Sequence, residues 1–134
     1  MLQNKLQVEV RSSDATSLKG KGGLKRIILA MGYSMDGLLV ASFEEAAFRQ
    51  LLLLNIVLIP IACLLEITPA ERAILIMVTV LTLIVELLNT AIETAIDRIS
   101  LDLHPLSKQA KDMGSAAQML SLILVTVIWL VICI

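Results

Sequence analysis

From Met113 to Ile134 the chain carries no charged side chain, and a second charge-free apolar run extends from Ala73 to Val85. Crossing the hydrocarbon core of a bilayer takes about 20 largely apolar helical residues. The C-terminal run has that length, and the second attains it by continuing into VELLNTAIETAID. A third run, Leu51 to Leu65, is interrupted only by Asn55 and Pro60. Lipid offers no partner to backbone N–H and C=O groups, so segments of this kind are confined to helices that satisfy their own backbone. The chain of 134 residues is 57% hydrophobic and 3% aromatic, with a mean hydropathy of +0.88, far from ordinary soluble composition. The sequence thus predicts an all-α integral membrane protein of one domain.

One stretch organises the rest. Glu86, Asn89, Glu93 and Asp97 recur at i, i+3, i+7 and i+11 and share one helix face, while Leu87, Leu88, Ala91, Ile92, Ala95 and Ile96 keep the remainder apolar. A carboxylate at bilayer depth costs about 2.5–3.5 kcal/mol on insertion scales, so it persists where it works or is paired. The structural alternative is polar glue between helices. Two further acids on the same face favour function, and Glu86 is the first candidate.

Other classes fall away. A formal charge of −1, with no interleaving of basic and aromatic residues, excludes nucleic acid as the expected partner. Cys63 and Cys133 lie in apolar runs with no CxxC and no companion histidines, so they read as membrane-buried thiols rather than a zinc site or disulfide. Residues 1–23 are polar, end in Lys19-Gly20-Lys21-Gly22-Gly23, and lack the apolar core of a signal peptide. They read as a flexible cytoplasmic leader; no strand or GxxxxGK[ST] accompanies the glycines.

Residues 24–47 are amphipathic, with Leu24, Ile27, Ile28 and Met31 on one side and Lys25 and Arg26 on another, as suits a helix lying in the membrane interface. Asp36-Gly37 is expected to break it, and Ser42-x-x-Glu45 has the form of a capping box. A first span covers 48–66, with a possible kink at Pro60. Thr68-Pro69-Ala70-Glu71 gives a second capping box with proline at the first helical position, opening a span over 73–92 that runs on to Arg98. A connector with His104-Pro105 and a cap at Ser107 leads to a third span over 113–134, where Trp129 reads as an interfacial anchor. Lys25, Arg26, Arg49, Arg98, Lys108 and Lys111 flank one side against Arg72 on the other. The positive-inside rule then places the N-terminus in the cytoplasm and the C-terminus outside.

Glu86, Asn89 and Glu93 approach the cytoplasmic surface where Lys111, Asp112 and Ser115 enter the last helix. Acids with a lysine there suit phosphoryl transfer, in which carboxylates hold Mg²⁺, lysine contacts phosphate, and a free carboxylate deprotonates a hydroxyl. A solvated helix start, with Lys111 paired to Glu93 or Asp97, fits the same spacing.

ELLNTAIETAIDR at Glu86–Arg98, His104, and AKDMGSAA at Ala110–Ala117, with GYS at Gly32–Ser34 and EAAFRQ at Glu45–Gln50, resemble the bacterial integral-membrane diacylglycerol kinase family. The resemblance implies a homotrimer in the bacterial inner membrane, each subunit with three transmembrane helices and an interfacial N-terminal helix, and active sites shared between subunits. It implies transfer of the γ-phosphate of MgATP to the free hydroxyl of 1,2-diacylglycerol, giving phosphatidic acid, by a membrane kinase domain over 24–134. Residue by residue, it makes Glu86 the general base, Glu45 and Glu93 the Mg²⁺ ligands, and Asn89 and Lys111 parts of the catalytic group. Arg26, Tyr33, Asp102, His104, Lys111 and Asp112 fall at nucleotide positions, and Arg26, Ser34, Arg49, Gln50, Glu86 and Ser115 at lipid-substrate positions.

The chain departs from the family pattern at Leu51, at Met35 and Asp36, and at Leu103, where an acid, a tryptophan with a basic residue, and an aromatic residue are usual. Two alternatives accompany this reading: an undecaprenol kinase, and an ion-translocating oligomer with Glu86 as proton carrier. The latter would place an isolated carboxylate near midplane rather than a polar cluster with a lysine.

Overall fold

The computed structural model describes residues 23–102 and 104–134; the expected leader over 1–23, save Gly23, which opens the first helix, and the departure at Leu103 lie outside them. Four helices follow in order, α1 (Gly23–Glu44), α2 (Ala46–Leu64), α3 (Pro69–Ile99) and α4 (Pro105–Cys133), each long and apolar enough to cross a membrane. The chain divides into two compact units, one ending at Leu39 and the other comprising Val40–Ile134.

In the first unit α1 presents Leu24, Ile27, Ile28 and Met31 exposed. The expected break at Asp36-Gly37 is absent, because the helix continues to Glu44. A lone helical glycine costs only about 1 kcal/mol against alanine and no proline follows, so regular hydrogen bonding carries through.

The second unit begins with the last residues of α1. Here too the structure corrects the sequence: Ser42 and Glu44 belong to α1, and Glu45 alone separates it from α2, extended and with no side-chain cap bond. Because α2 starts at Ala46, Ser42 comes about one turn too early to cap it. The end of α1 is closed instead by Arg49, whose guanidinium donates to the carbonyls of Phe43 at 3.0 Å and Ser42 at 3.4 Å. A cation suits the negative end of the helix dipole.

The α2–α3 hairpin matches its sequence signals. Thr68 and Glu71 form a reciprocal capping box, with Glu71 accepting from the Thr68 N–H at 2.8 Å and Pro69 at the first helical position. Arg72 ties the two helices by donating to the carbonyls of Ala62 at 3.2 Å and Leu65 at 2.9 Å. At the other connector His104, not Ser107, caps α4: its Nδ1 accepts from the Leu106 N–H at 3.2 Å and Pro105 opens the helix. Proline at the first helical position fixes the start one turn earlier than the serine suggested.

Leu75, Val78, Thr79, Thr82 and Glu86 are the buried stripe of α3, facing Phe48, Leu51, Asn55 and Ala62 of α2 and Gly114, Ser121 and Val125 of α4. A polar thread joins the three helices. Asn55 donates to Thr82 at 3.3 Å, Thr82 donates to the Thr79 carbonyl at 2.7 Å, and Thr79 accepts from the Trp129 indole N–H at 3.0 Å. Trp129, expected as an interfacial anchor, therefore turns its N–H inward onto a fully buried hydroxyl.

Replacing Thr79 by valine keeps the shape but leaves that indole without a partner, which destabilises by about 1 kcal/mol within a membrane bundle. Unfolding titrations in mixed detergent should show this loss for Thr79→Val. In a Trp129→Phe background the same change should have much less effect; an equal loss in both backgrounds would exclude the Thr79–Trp129 bond as its origin.

Candidate active site

The periodic acids of α3 arrive where the sequence placed them. Glu86 is 4% exposed, and among the described residues its carboxylate forms no hydrogen bond or ion pair. Its charge is felt by two further carboxylates, Glu93, two turns along the same helix, and Glu45 at the joint before α2. With no cap to make, Glu45 is available to this group. Like charges within reach of Glu86 repel it, and a divalent ion among them would relieve the repulsion. Among the described residues no three His, Cys, Asp or Glu side chains converge into a cage for a metal. Mg²⁺ does not require such a cage, since it retains waters and takes one or two carboxylates together with substrate phosphates.

Further along, the end of α3, the connector and the start of α4 enclose a cleft of about 650 Å³ that brings together Asp102, His104, Lys111 and Asp112. Lys111 pairs with Asp97 at 2.6 Å, which decides between the two partners its spacing allowed. Asp112 pairs with Lys108, a cleft cation not singled out from the sequence, although its i, i+4 spacing to Asp112 was a signal. All four charged groups are well exposed, so each pair is worth less than about 1 kcal/mol and exchanges readily for a more highly charged ligand.

Between Glu86 and Glu93 on α3, the helix comes close to α4. A side chain on Gly114 would overlap the Asn89 Oδ1, so the glycine is a seat for Asn89, whose Oδ1 is buried without a partner. Ser115 is exposed beside it. This seat was legible only as a small-residue stretch, GSAA, of the sort that lets helices approach.

The remaining candidates are Arg49 and Gln50 in the second unit and Arg26, Tyr33 and Ser34 in the first. Arg49 is engaged at the end of α1, and Gln50 is exposed. Arg26, Tyr33 and Ser34 are exposed on α1 within the first unit, where the Ser34 hydroxyl donates to the Ala30 carbonyl at 3.0 Å.

Gly114→Ala should displace Asn89 and lower turnover at least tenfold. The accompanying loss of stability should be only about 1–3 kcal/mol, as for other overpacked contacts. Turnover equal to wild type in the assembled protein would show that the position of Asn89 does not matter to the reaction.

The chain is similar to known proteins over most of its length. The family model for prokaryotic diacylglycerol kinase matches residues 32–133. A Pseudomonas aeruginosa protein named diacylglycerol kinase is 62% identical over 111 residues, covering 83% of this chain and 90% of that protein. Proteins of the same name from Escherichia coli K12 and Helicobacter pylori 26695 are 44% identical over 110 residues and 46% over 107. These cover 82% and 80% of this chain and 90% and 84% of the respective proteins. With all four helices and every second-unit residue of the site inside or beside the matched region, the chain belongs to the prokaryotic diacylglycerol kinase family.

Proposed function

We propose that the protein is an ATP-dependent diacylglycerol kinase that makes phosphatidic acid. The observation that carries this is Glu86, a buried carboxylate without a partner, on the helix face that carries Glu93 and leads on to a lysine-bearing cleft, in a chain of this family. The relatives' shared name supports diacylglycerol over undecaprenol as acceptor, and membership of a kinase family removes the ground for ion translocation.

In the reaction the Glu86 carboxylate accepts the proton of the lipid hydroxyl as its oxygen bonds to the γ-phosphorus and the bond to the ADP oxygen breaks. Lys111 exchanges Asp97 for a phosphate, while Asp112, His104 and Asp102 hold the nucleotide in the cleft, with Arg26 and Tyr33 as further nucleotide contacts. Asn89 orients the reacting groups. Arg26, Ser34, Arg49, Gln50 and Ser115 contact the lipid headgroup. Glu45 and Glu93 would hold Mg²⁺, which supplies charge neutralisation of the polyphosphate.

The assembly we propose is a homotrimer in the inner membrane, with α1 along the interface, three spans formed by α2, α3 and α4, the N-terminus cytoplasmic and the C-terminus outside. Lys25, Arg26, Asp36 and Glu44 support the interfacial place of α1 by charging a helix that is otherwise apolar enough to span. Sites shared between subunits follow from the thin wall that three spans provide.

Glu86→Gln fills the same volume but cannot take a proton, so turnover should fall by about 10²–10⁴-fold with assembly intact. Assay in detergent micelles with labelled ATP measures this, and activity within threefold of wild type would remove Glu86 from the mechanism.

Glu45→Gln and Glu93→Gln should each raise the Mg²⁺ concentration needed for half-maximal rate. The double variant should be less than additively worse, as for residues acting as a unit. An unchanged Mg²⁺ dependence in Glu45→Gln would exclude that residue as a ligand.

A further inference from the structure

Three buried polar side-chain atoms lack a partner among the described residues: Asn55 Oδ1, Asn89 Oδ1 and Gln118 Nε2. Two are acceptors; Gln118 Nε2 is the donor. A buried donor left unbonded is expensive, so its position is informative.

Gln118 follows Gly114 by one turn on the stripe of α4 that also carries buried Ser121 and Val125. Asn89 sits on Gly114, and α3 runs antiparallel to α4, so one turn back from Asn89 on α3 and one turn on from Gly114 on α4 lead to the same level. The first step reaches Glu86 and the second reaches Gln118. At about 1.5 Å per residue the two differ in height by only about 2 Å. The Gln118 amide is also oriented. The Ser121 hydroxyl, which donates to the Gln118 carbonyl at 2.8 Å, lies 3.4 Å from the side-chain Oε1, drawing the oxygen towards it and leaving the nitrogen on the other side.

We infer that Gln118 is a specificity-determining residue that donates its amide N–H to an ester carbonyl of the lipid whose hydroxyl meets Glu86. This rests on the kinase reading above. An alcohol placed at Glu86 brings the atoms of its neighbouring carbons to the level of Gln118. In a glycerol diester the ester on the adjacent carbon presents a carbonyl oxygen there; a long-chain isoprenoid alcohol or a glycerol diether has none. The contact selects ester-linked glycerolipids, because any other acceptor leaves the buried N–H unanswered.

The test compares kcat/KM for 1,2-diacylglycerol and for an ether-linked 1,2-dialkylglycerol of matched chain length, in the same micelles, for the wild type and Gln118→Met. The wild type should favour the diester by about tenfold, the scale of one buried hydrogen bond. In Gln118→Met that ratio should fall towards one, chiefly through loss of rate on the diester. Both lipids are assayed on one preparation, so the fraction of folded protein cancels. Ser121→Ala should lower the ratio in part, and carries the test if Gln118→Met fails to assemble. A wild type without preference, a preference unchanged in both variants, or an equal loss on both lipids would each overturn the inference; the last would leave Gln118 as a tie between α4 and α3. Failure of the wild type to phosphorylate either lipid would instead defeat the kinase reading.

Discussion

Hydrocarbon supplies no hydrogen bonds, so each polar group on a spanning helix must be answered by another atom of the protein, and the second unit is arranged around where that rule is met and where it is not. Towards the α2–α3 loop the accounts close except at Asn55 Oδ1: the Trp129 indole, the Thr79 and Thr82 hydroxyls and the Asn55 amide nitrogen find partners along one thread, and Arg72 takes the last carbonyls of α2. Towards the other end of α3 they stay open. Glu86 follows about one turn beyond Thr82 on α3 and Asn89 Oδ1 about two, with Gln118 Nε2 on α4 open as well. The satisfied groups fix the rotation of α3 against its neighbours, and that rotation turns Glu86 into the bundle rather than out to lipid.

The sequence disclosed elements by periodicity and chemistry by spacing, but not the partners that tertiary packing chooses. Thr68-x-x-Glu71 worked as a signal because both residues lie within one turn and proline fixes the start. Ser42-x-x-Glu45 has the same spelling and failed, because α1 claims Ser42 and the next helix begins at Ala46. A pattern of four residues cannot tell a helix end from a helix interior when both flanks are helical. Trp129 illustrates the same limit. Its position near the end of an apolar run suggests an interfacial ring, yet the threonine that receives its N–H lies fifty positions away in sequence.

The site was readable in part for a physical reason. Acids repeated on one face of an apolar helix are costly, and cost is visible in a sequence. Gly114 and Gln118 carry no such mark: a glycine beside serine and alanine is ordinary at a helix crossing, and a glutamine in a span gains meaning only when its amide nitrogen proves to be the unpartnered donor level with Glu86.

The cleft obeys a different rule from the bundle. Its lysines are exposed and already paired, Lys111 with Asp97 and Lys108 with Asp112, so screening by water makes each pair weak. For a cleft proposed to bind nucleotide that weakness is useful. A strong buried pair would hold the lysine against incoming phosphate, whereas an unpaired lysine would sample many rotamers and lose entropy on binding. A weak pair keeps the ammonium near the cleft and releases it to a ligand with several negative charges. On the proposed reading the freed Asp97, one turn beyond Glu93, would add negative charge beside the carboxylate proposed to hold Mg²⁺, so an exchange that admits phosphate would also strengthen the field for the cation that accompanies it.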